Sequence, residues 1–282
     1  MATPTLPLDT GTTGTQTSGR FSVVFDDVWM SFGSVDVLKG VSFKLPVGET
    51  KALFGVAGSG KSTILKLTLG LLKPDSGRVV ALGEDVSKAR EGDLFGLRGK
   101  IGMVFQESAL FDSLTVRENV AYRLTEEHGI YDDAIDRRVR ESLRFVELEH
   151  TLDLFPSELS GGMRRRVAIA RAIITHPELL LYDSPTGGLD PVTSNTIIEL
   201  IMKQRDVYRT SSLLVTHRLQ DAFTLATHEF DAKTNTLRKL PRGQYCDVPM
   251  SFLLLRDGKV EFDGDLRQLA TTKDEYIREY IS

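Results

Sequence analysis

Two kinds of hydrophobic periodicity alternate along the chain from Phe21 onward. Three short segments rich in β-branched and aromatic residues end at glycine, aspartate or proline, which predicts strands. They are FSVVFDDVWMSF (21–32), VLKGVSFKL (37–45) and ETKALFGV (49–56). The next segment, ILKLTLGLL (64–72), repeats apolar residues at helical spacing and predicts a helix that ends near Lys73 and Pro74.

Strands continue to alternate with helices in the rest of the chain. Strands are predicted at RVVAL (78–82) and IGMVFQ (101–106), and a mostly helical stretch from Thr115 to His176 follows. The second half reads as strand ELLLYD (178–183), helix VTSNTIIELIMKQ (192–204), strand SSLLVTH (211–217) and helix LQDAFTLA (219–226). This alternation predicts an α/β fold with parallel strands and right-handed crossovers, so a ligand is expected at the carboxyl ends of the strands.

Composition narrows the class of protein. The chain has 282 residues, of which 41% are hydrophobic, and its 35 basic and 39 acidic side chains nearly cancel. A nearly neutral chain has no strong overall electrostatic attraction to nucleic acid or to an anionic membrane, so we expect no nucleic-acid partner. A single cysteine, Cys246, allows no intrachain disulfide and fits a reducing compartment. Residues 1–20 are rich in Thr, Gly and Ser and predict a disordered tail.

The segment GVAGSGKST (55–63) matches the phosphate-loop pattern, and it lies between a predicted strand and a predicted helix. Glycines let consecutive amide groups turn toward one anion at the start of a helix. Lys61 is placed to reach the β- and γ-phosphates, and the Ser62 hydroxyl is placed to bind Mg²⁺. The candidate nucleotide-binding residues of this loop are Gly55, Val56, Ala57, Gly58, Ser59, Gly60, Lys61, Ser62 and Thr63.

A second helix start also has the features of an anion site. In ELSGGMRRRVAIARAI (158–173), Ser160 is placed as the N-cap, and Gly161 and Gly162 leave the first amides accessible. Taken alone, this segment is better explained as an ordinary capped helix than as an anion site. Asp183 ends an apolar strand as a candidate second Mg²⁺ ligand, although it could also be an ordinary strand-end aspartate.

With these motifs in this order, the chain resembles the nucleotide-binding domains of ABC transporters, with LSGGM (159–163) as the family signature. The resemblance covers residues 21–270 and implies a P-loop NTPase core whose mixed, mainly parallel sheet is flanked by helices. It also implies an N-terminal antiparallel β subdomain and a helical signature subdomain at about 107–176. Residues 228–249 interrupt the alternation as an insertion or extended hairpin, and 271–282 form a C-terminal helical tail.

The resemblance implies roles for further residues. Gln106 matches the glutamine that contacts Mg²⁺ and the attacking water, and His217 matches the histidine that contacts the γ-phosphate. Asp190 matches the loop that crosses to the opposing subunit. Phe32 matches the aromatic residue that stacks on adenine, although it could equally be a core residue. In this family, each ATP lies between the phosphate loop of one subunit and the signature helix of the other. The resemblance therefore implies a head-to-tail dimer.

Within the family, FQESALFDSLTVRENVAYRL (105–124) and PSELSGGM (156–163) resemble the ATPases of Mla/Mce-type lipid transport systems. This implies a peripheral position on the cytoplasmic face of the inner membrane and a groove at 106–123 that receives a permease. The apolar residues 109–111 are equally explained by core packing. Amino-acid importers share many of these features. The arginine triplet Arg164–Arg166 is interpreted as a solvated helix face rather than a lipid headgroup site.

Ser184 departs from the family pattern, which has a glutamate that polarises the attacking water at this position. A hydroxyl without a neighbouring base cannot take that proton, and loss of a general base slows a reaction by about 10² to 10⁴. The remaining groups still provide positioning and charge neutralisation. The expected catalytic residues are His217, Gln106, Asp183 and Ser184, and Glu107 is a candidate replacement carboxylate.

Two function classes therefore remain open, a slow ATPase that drives transport and a switch that dimerises on ATP with little hydrolysis. A DNA-repair or translation-factor ATPase is disfavoured, because those carry a coiled-coil insertion or two cassettes in one chain.

Overall fold

Two sheets and a hairpin carry the strands of the protein. The computed structural model describes residues 20–129, 131–234, 236–241, 246 and 248–281, so the tail predicted at 1–20 lies outside the described residues except for Arg20. The strands and helices are, in chain order, β1 (Phe21–Phe32), β2 (Val35–Pro46), β3 (Thr50–Gly55), α1 (Lys61–Thr68), β4 (Ser76–Ala81), β5 (Glu84–Asp85), α2 (Leu94–Gly99), β6 (Ile101–Val104), α3 (Val116–His128), α4 (Asp133–Phe145), α5 (Gly161–Ile173), β7 (Leu179–Asp183), α6 (Pro191–Tyr208), β8 (Ser211–Val215), α7 (Leu219–Thr227), β9 (His228–Asp231), β10 (Thr236–Lys239), β11 (Met250–Arg256), β12 (Lys259–Asp265), α8 (Leu266–Thr271) and α9 (Glu275–Ile281).

The central sheet has six strands in the order β12-β11-β3-β8-β7-β6. All neighbours pair in parallel except β11 and β12. A second, antiparallel sheet has the order β2-β1-β4-β5. The predicted fold class, a mixed sheet flanked by helices with an antiparallel N-terminal sheet, is confirmed.

Strand β7 shows how the core forms on both faces of the central sheet. Its side chains alternate between faces, as the twofold period of a strand requires. Leu179 and Leu181 pack in the cluster beneath the N-terminal sheet and α1, whereas Leu180 and Tyr182 pack against α3 to α6. Because both faces are covered, the strand is apolar throughout until Asp183.

Helix α1 ends five residues before the position that its apolar spacing predicts. Gly70 adopts a left-handed conformation with φ 64°, and its amide donates to the Leu67 carbonyl at 3.0 Å. The Leu71 amide donates to the Lys66 carbonyl at 2.9 Å, which completes a Schellman motif. The prediction at Lys73–Pro74 was wrong because the glycine ends the helix before the proline is reached. Similarly, β6 ends at Val104, and the predicted strand residues Phe105 and Gln106 lie in the loop beyond it.

Helices α3, α4 and α5 lie within the segment predicted to be a helical subdomain, and β9 and β10 form an antiparallel hairpin within residues 228–249. Part of that second segment lies outside the described residues. The domain boundaries stay predictions. None of the helices in the described ranges combines the length and apolar character that crossing a membrane requires.

A buried asparagine shapes the loop between β6 and α3. The Asn119 side chain is fully buried, and its amide donates to the carbonyls of Phe111, Leu114 and Thr115 at 3.0 Å each. It also accepts from the Phe111 amide at 2.8 Å. The loop thereby presents the Phe111 ring outward, where it is 43% exposed and contacts Tyr122 with 4.6 Å between ring centroids. Simple core packing is therefore wrong for Phe111.

We expect Asn119→Leu to lower the free energy of unfolding by about 3 kcal/mol or more. The substitution leaves buried main-chain groups without partners, and each such group costs about 1–3 kcal/mol. Urea denaturation followed by circular dichroism measures this change. The matched control is Asn195→Leu on the exposed face of α6, which should change stability by less than about 0.5 kcal/mol. Equal effects of the two substitutions would contradict this role of Asn119.

Candidate nucleotide-binding site

The order of the central sheet gathers the predicted site residues at one edge. Strands β3, β8, β7 and β6 are parallel neighbours, so their carboxyl ends lie side by side. The phosphate loop follows β3, His217 follows β8, Asp183 ends β7, and Gln106 follows β6. These residues are far apart in the sequence, and the topology of the sheet brings them together.

Two glycines allow the phosphate loop to pass close to the rest of the protein. Gly55 has φ 141°, and a Cβ atom there would lie 2.4 Å from the Leu255 carbonyl oxygen. Gly60 has φ 98°, and a Cβ atom there would lie 2.5 Å from Cδ2 of Leu38. A side chain at either position would both strain the backbone and clash with its neighbours.

Lys61 lies folded against the loop that precedes it. Its side chain is 4% exposed, and Nζ donates to the carbonyls of Gly55 and Val56 at 2.8 Å each. Burial lowers the pKa of Lys61, and the Asp183 carboxylate opposes this effect. The ammonium group is thus held at the base of the loop, next to the first turn of α1.

Two of the three residues predicted to bind a metal are in contact beside this lysine. The Ser62 hydroxyl donates to Oδ1 of Asp183 at 3.2 Å. Hydroxyl and carboxylate oxygens are the hard ligands that Mg²⁺ prefers, so this pair fits the ion. The Gln106 side chain is exposed on the neighbouring loop. The main-chain carbonyl of Gln106 accepts a hydrogen bond from Arg165.

A cleft opens over the phosphate loop. Its lining residues are Phe32, Val37, Ala57, Gly58, Gly60, Lys61, Ser62, Thr63 and His217. Phe32 is 49% exposed at the end of β1, so its interpretation as a core residue is wrong. Partial burial lowers the pKa of His217, the Lys61 charge lowers it further, and Asp183 raises it. The imidazole is consequently neutral at neutral pH and able both to donate and to accept a hydrogen bond.

Ser184 points into the protein. It is 3% exposed with φ 47°, and its hydroxyl has no hydrogen-bond partner within the described residues. Its amide donates to the Val215 carbonyl at 2.9 Å, and its carbonyl accepts from Arg165 at 3.0 Å. The main chain is therefore fixed on both sides, and the side chain supplies neither a carboxylate nor a contact with a base.

Arg165 is a functional candidate that the sequence analysis missed. It is 4% exposed, so the solvated helix face predicted for the triplet is wrong at this residue. Its guanidinium donates to the carbonyls of Ser184 at 3.0 Å and Pro185 at 2.8 Å, and also to that of Gln106. Burial lowers the pKa of Arg165, and the Glu107 charge opposes this. The available signal was helical spacing, because Arg165 precedes the buried residues Ala168 and Ile169 by three and four positions.

The flanking arginines also donate to main-chain carbonyls. Arg164 contacts the Leu159 carbonyl at 2.7 Å, and Arg166 contacts the Val146 carbonyl at 3.2 Å. All three members of the triplet therefore stabilise the fold around the start of α5.

The remaining predicted residues form a second group on the surface. Ser160 caps α5 by accepting from the Met163 amide at 3.2 Å, and Asp190 caps α6 by accepting from the Val192 and Thr193 amides at 3.0 Å each. The two caps are close neighbours, because a Cβ atom at Gly162 would lie 2.4 Å from Cγ2 of Thr193. Gly161 is exposed beside them. One chain therefore carries two separate groups of candidate binding residues.

Comparison with known proteins places this site in a family. The family model described as "ABC transporter" matches residues 38–187. The Arabidopsis thaliana protein TRIGALACTOSYLDIACYLGLYCEROL 3, chloroplastic, is 38% identical over 265 residues, which cover 91% of this chain and 72% of that protein. The probable ribonucleotide transport ATP-binding protein mkl of Mycobacterium tuberculosis is 36% identical over 72% of this chain. The methionine import ATP-binding protein MetN of Bifidobacterium longum is 41% identical over 64% of it. The chain spans 57% and 44% of the length of these last two relatives.

Solved structures agree with this placement. The dimeric structure of MJ0796, a bacterial ABC transporter cassette, is 30% identical with a TM-score of 0.73, and the match covers 87% of this chain and 99% of that one. The structure of cbiO1 from Clostridium perfringens, part of the ABC transporter complex cbiONQ, is 26% identical with a TM-score of 0.73, covering 92% and 94%. The resemblance found in the motifs is confirmed, and the chain belongs to the ATP-binding domains of ABC transporters.

Proposed function

We propose that this chain binds ATP and Mg²⁺ in the cleft over the phosphate loop and hydrolyses ATP slowly to energise a transporter. ABC ATPase domains bind ATP, generally with Mg²⁺, and the family supports ATP hydrolysis. The observation that carries the proposal is the convergence of Lys61, Ser62 and Asp183, in which a buried ammonium lies beside a hydroxyl–carboxylate pair.

Each residue of the cleft has a chemical role in this proposal. The loop amides and Lys61 bind the β- and γ-phosphates, and Phe32 offers a face to the adenine ring. Ser62, Asp183 and Gln106 would hold Mg²⁺, which neutralises phosphate charge when it is bound. His217, neutral at neutral pH, is placed to hydrogen-bond the γ-phosphate without adding a charge of its own.

The site is completed by a second copy of the chain. Ser160, Gly161, Gly162 and Asp190 lie at two helix starts apart from the cleft of their own chain. In a head-to-tail dimer, these groups would close the nucleotide site of the partner, and each chain would contribute one half to each of two sites. The similar MJ0796 cassettes are dimeric, which supports this arrangement.

The proposed cargo is a phospholipid or related lipid. The Arabidopsis thaliana relative, whose match covers 91% of this chain, is named after a glycolipid, trigalactosyldiacylglycerol. Relatives named for ribonucleotide or methionine transport match shorter parts, so an importer of another solute is the alternative. We further propose that the segment 106–123, with Phe111 in the loop before α3 and Tyr122 on α3, contacts a membrane permease from the cytoplasmic face of the inner membrane.

Ser184 determines the rate of ATP hydrolysis that we expect. Its buried hydroxyl has no base within the described residues, whereas the groups for binding and charge neutralisation are in place. This favours slow turnover over complete inactivity. The same orphan hydroxyl favours the second candidate function, an ATP-dependent switch that regulates a membrane assembly with little hydrolysis.

We expect the parent protein to hydrolyse ATP with Mg²⁺ at a rate clearly above that of Lys61→Ala. Lys61→Ala removes the ammonium that binds the phosphates, and Ser184→Glu supplies a carboxylate that should raise kcat by about 10² or more. Steady-state phosphate release from the purified proteins measures all three rates.

The alternative function has its own signature in the same assay. If the parent releases phosphate no faster than Lys61→Ala while Ser184→Glu is active, the native chain is a switch and the ATPase proposal is wrong.

Glu107 is the carboxylate that we propose as a partial substitute. It is exposed beside Gln106, and its charge acts on Arg165, whose guanidinium contacts the Ser184 carbonyl. We expect Glu107→Gln to lower kcat by about 10² if this carboxylate acts as the base. Asp112→Asn, an equally exposed substitution in the same loop, should leave kcat unchanged. A Glu107→Gln variant as active as the parent would exclude the assignment.

A further inference from the structure

The C-terminal helix contacts the first residue of the phosphate loop. The amide of Gly55 donates a hydrogen bond to the phenol oxygen of Tyr280, and the two atoms are 3.1 Å apart. Tyr280 lies 225 residues further along the chain, in α9. A residue of the last helix therefore meets the point where β3 ends and the phosphate loop begins.

Gly55 is held from its other side as well. Its carbonyl accepts from Nζ of Lys61 at 2.8 Å. With φ 141°, it occupies a conformation that favours glycine, and a Cβ atom would lie 2.6 Å from the Ser59 hydroxyl. The Tyr280 phenol thus fixes the amide of Gly55, and the Lys61 ammonium fixes its carbonyl. Both main-chain polar groups of Gly55 are held at the start of the loop.

Helix α9 is docked firmly enough to present this phenol. Ile277 is 3% exposed in a cluster with Phe54 and Phe252, and its amide donates to Oδ1 of Asp274 at 3.0 Å. The guanidinium of Arg256 lies over the ring of Tyr276 at 4.0 Å. Burial raises the pKa of Tyr280, so the phenol keeps its proton at neutral pH.

The same cluster includes the helix that follows the switch histidine. Ala222 and Ala226 of α7 are buried in it together with Phe54, the residue before Gly55. Helix α9 therefore shares one hydrophobic cluster with the strand that leads into the phosphate loop and with the helix that begins two residues after His217.

We propose that Tyr280 is a positioning residue for nucleotide binding, whose phenol preorganises the Gly55 end of the phosphate loop. A loop whose main chain is already fixed loses less conformational freedom when a phosphate binds, which strengthens binding. The proposal rests on the proposed function of the cleft as an ATP site. It adds that the C-terminal segment tunes the affinity of that site.

The test compares Tyr280→Phe with Tyr276→Phe in the full chain. Each substitution removes one hydroxyl from the same helix and keeps the ring, but only the first removes the contact with Gly55. Three readouts are needed: amide hydrogen exchange at Gly55 without nucleotide, the Kd for a fluorescent ATP analogue with Mg²⁺, and Tm.

We expect Tyr280→Phe to speed exchange at Gly55 and to raise the Kd by about three- to tenfold, which is the effect of one lost hydrogen bond. Tm should stay within a few degrees of the parent value, and kcat should be unchanged at saturating ATP. Tyr276→Phe should change neither the exchange nor the Kd.

The proposal is overturned if Tyr280→Phe leaves both exchange and Kd at parent values, or if both variants shift them equally. Unchanged exchange alone also overturns it, because the tether is then not formed. If the parent itself binds no nucleotide, the proposed function fails, and the exchange experiment still decides whether Tyr280 holds the loop.

Discussion

The buried guanidinium of Arg165 connects three chain segments that the candidate site requires in register. It joins the signature helix α5 to the Gln106 loop through one carbonyl and to the Ser184–Pro185 segment through two more. Carbonyl dipoles compensate for the charge that burial removes from water, and the Glu107 charge adds to this compensation. The start of α5 and the end of β7 are consequently fixed relative to each other, and a displacement of one would be transmitted to the other.

The residues proposed for binding and the residue at the position proposed for water activation are arranged differently. The residues proposed to bind phosphate and metal lie at the carboxyl ends of adjacent parallel strands, where Lys61, Asp183 and His217 influence one another electrostatically. The Ser184 side chain, at the position that we propose would activate water, is instead buried, and its main chain is fixed by Arg165 and by the Val215 carbonyl. In our proposal, binding and water activation are therefore separable, and the intact binding residues would allow either slow hydrolysis or ATP-driven assembly.

Much of this architecture could be predicted from the sequence because local rules agreed with the fold. The strand–glycine loop–helix order around Lys61 and the capping serine at Ser160 each have a local cause, and both lie where they were expected. Contacts between distant segments could not be predicted in this way. The sequence predicted Arg165 to be one of three solvent-exposed charges, because a charge pattern does not reveal which face of a helix is buried. The contact between Tyr280 and Gly55 depends on tertiary docking of α9, and Gly70 ended α1 earlier than the more conspicuous Pro74.

We propose that each chain holds two half-sites, which ATP joins across a dimer. Sedimentation velocity of the purified chain, with and without ATP and Mg²⁺, tests it most directly. The account predicts a monomer that becomes a dimer when ATP is added, with Lys61→Ala remaining monomeric under the same conditions. A parent chain that stays monomeric at saturating ATP, or that dimerises equally well without nucleotide, would contradict it.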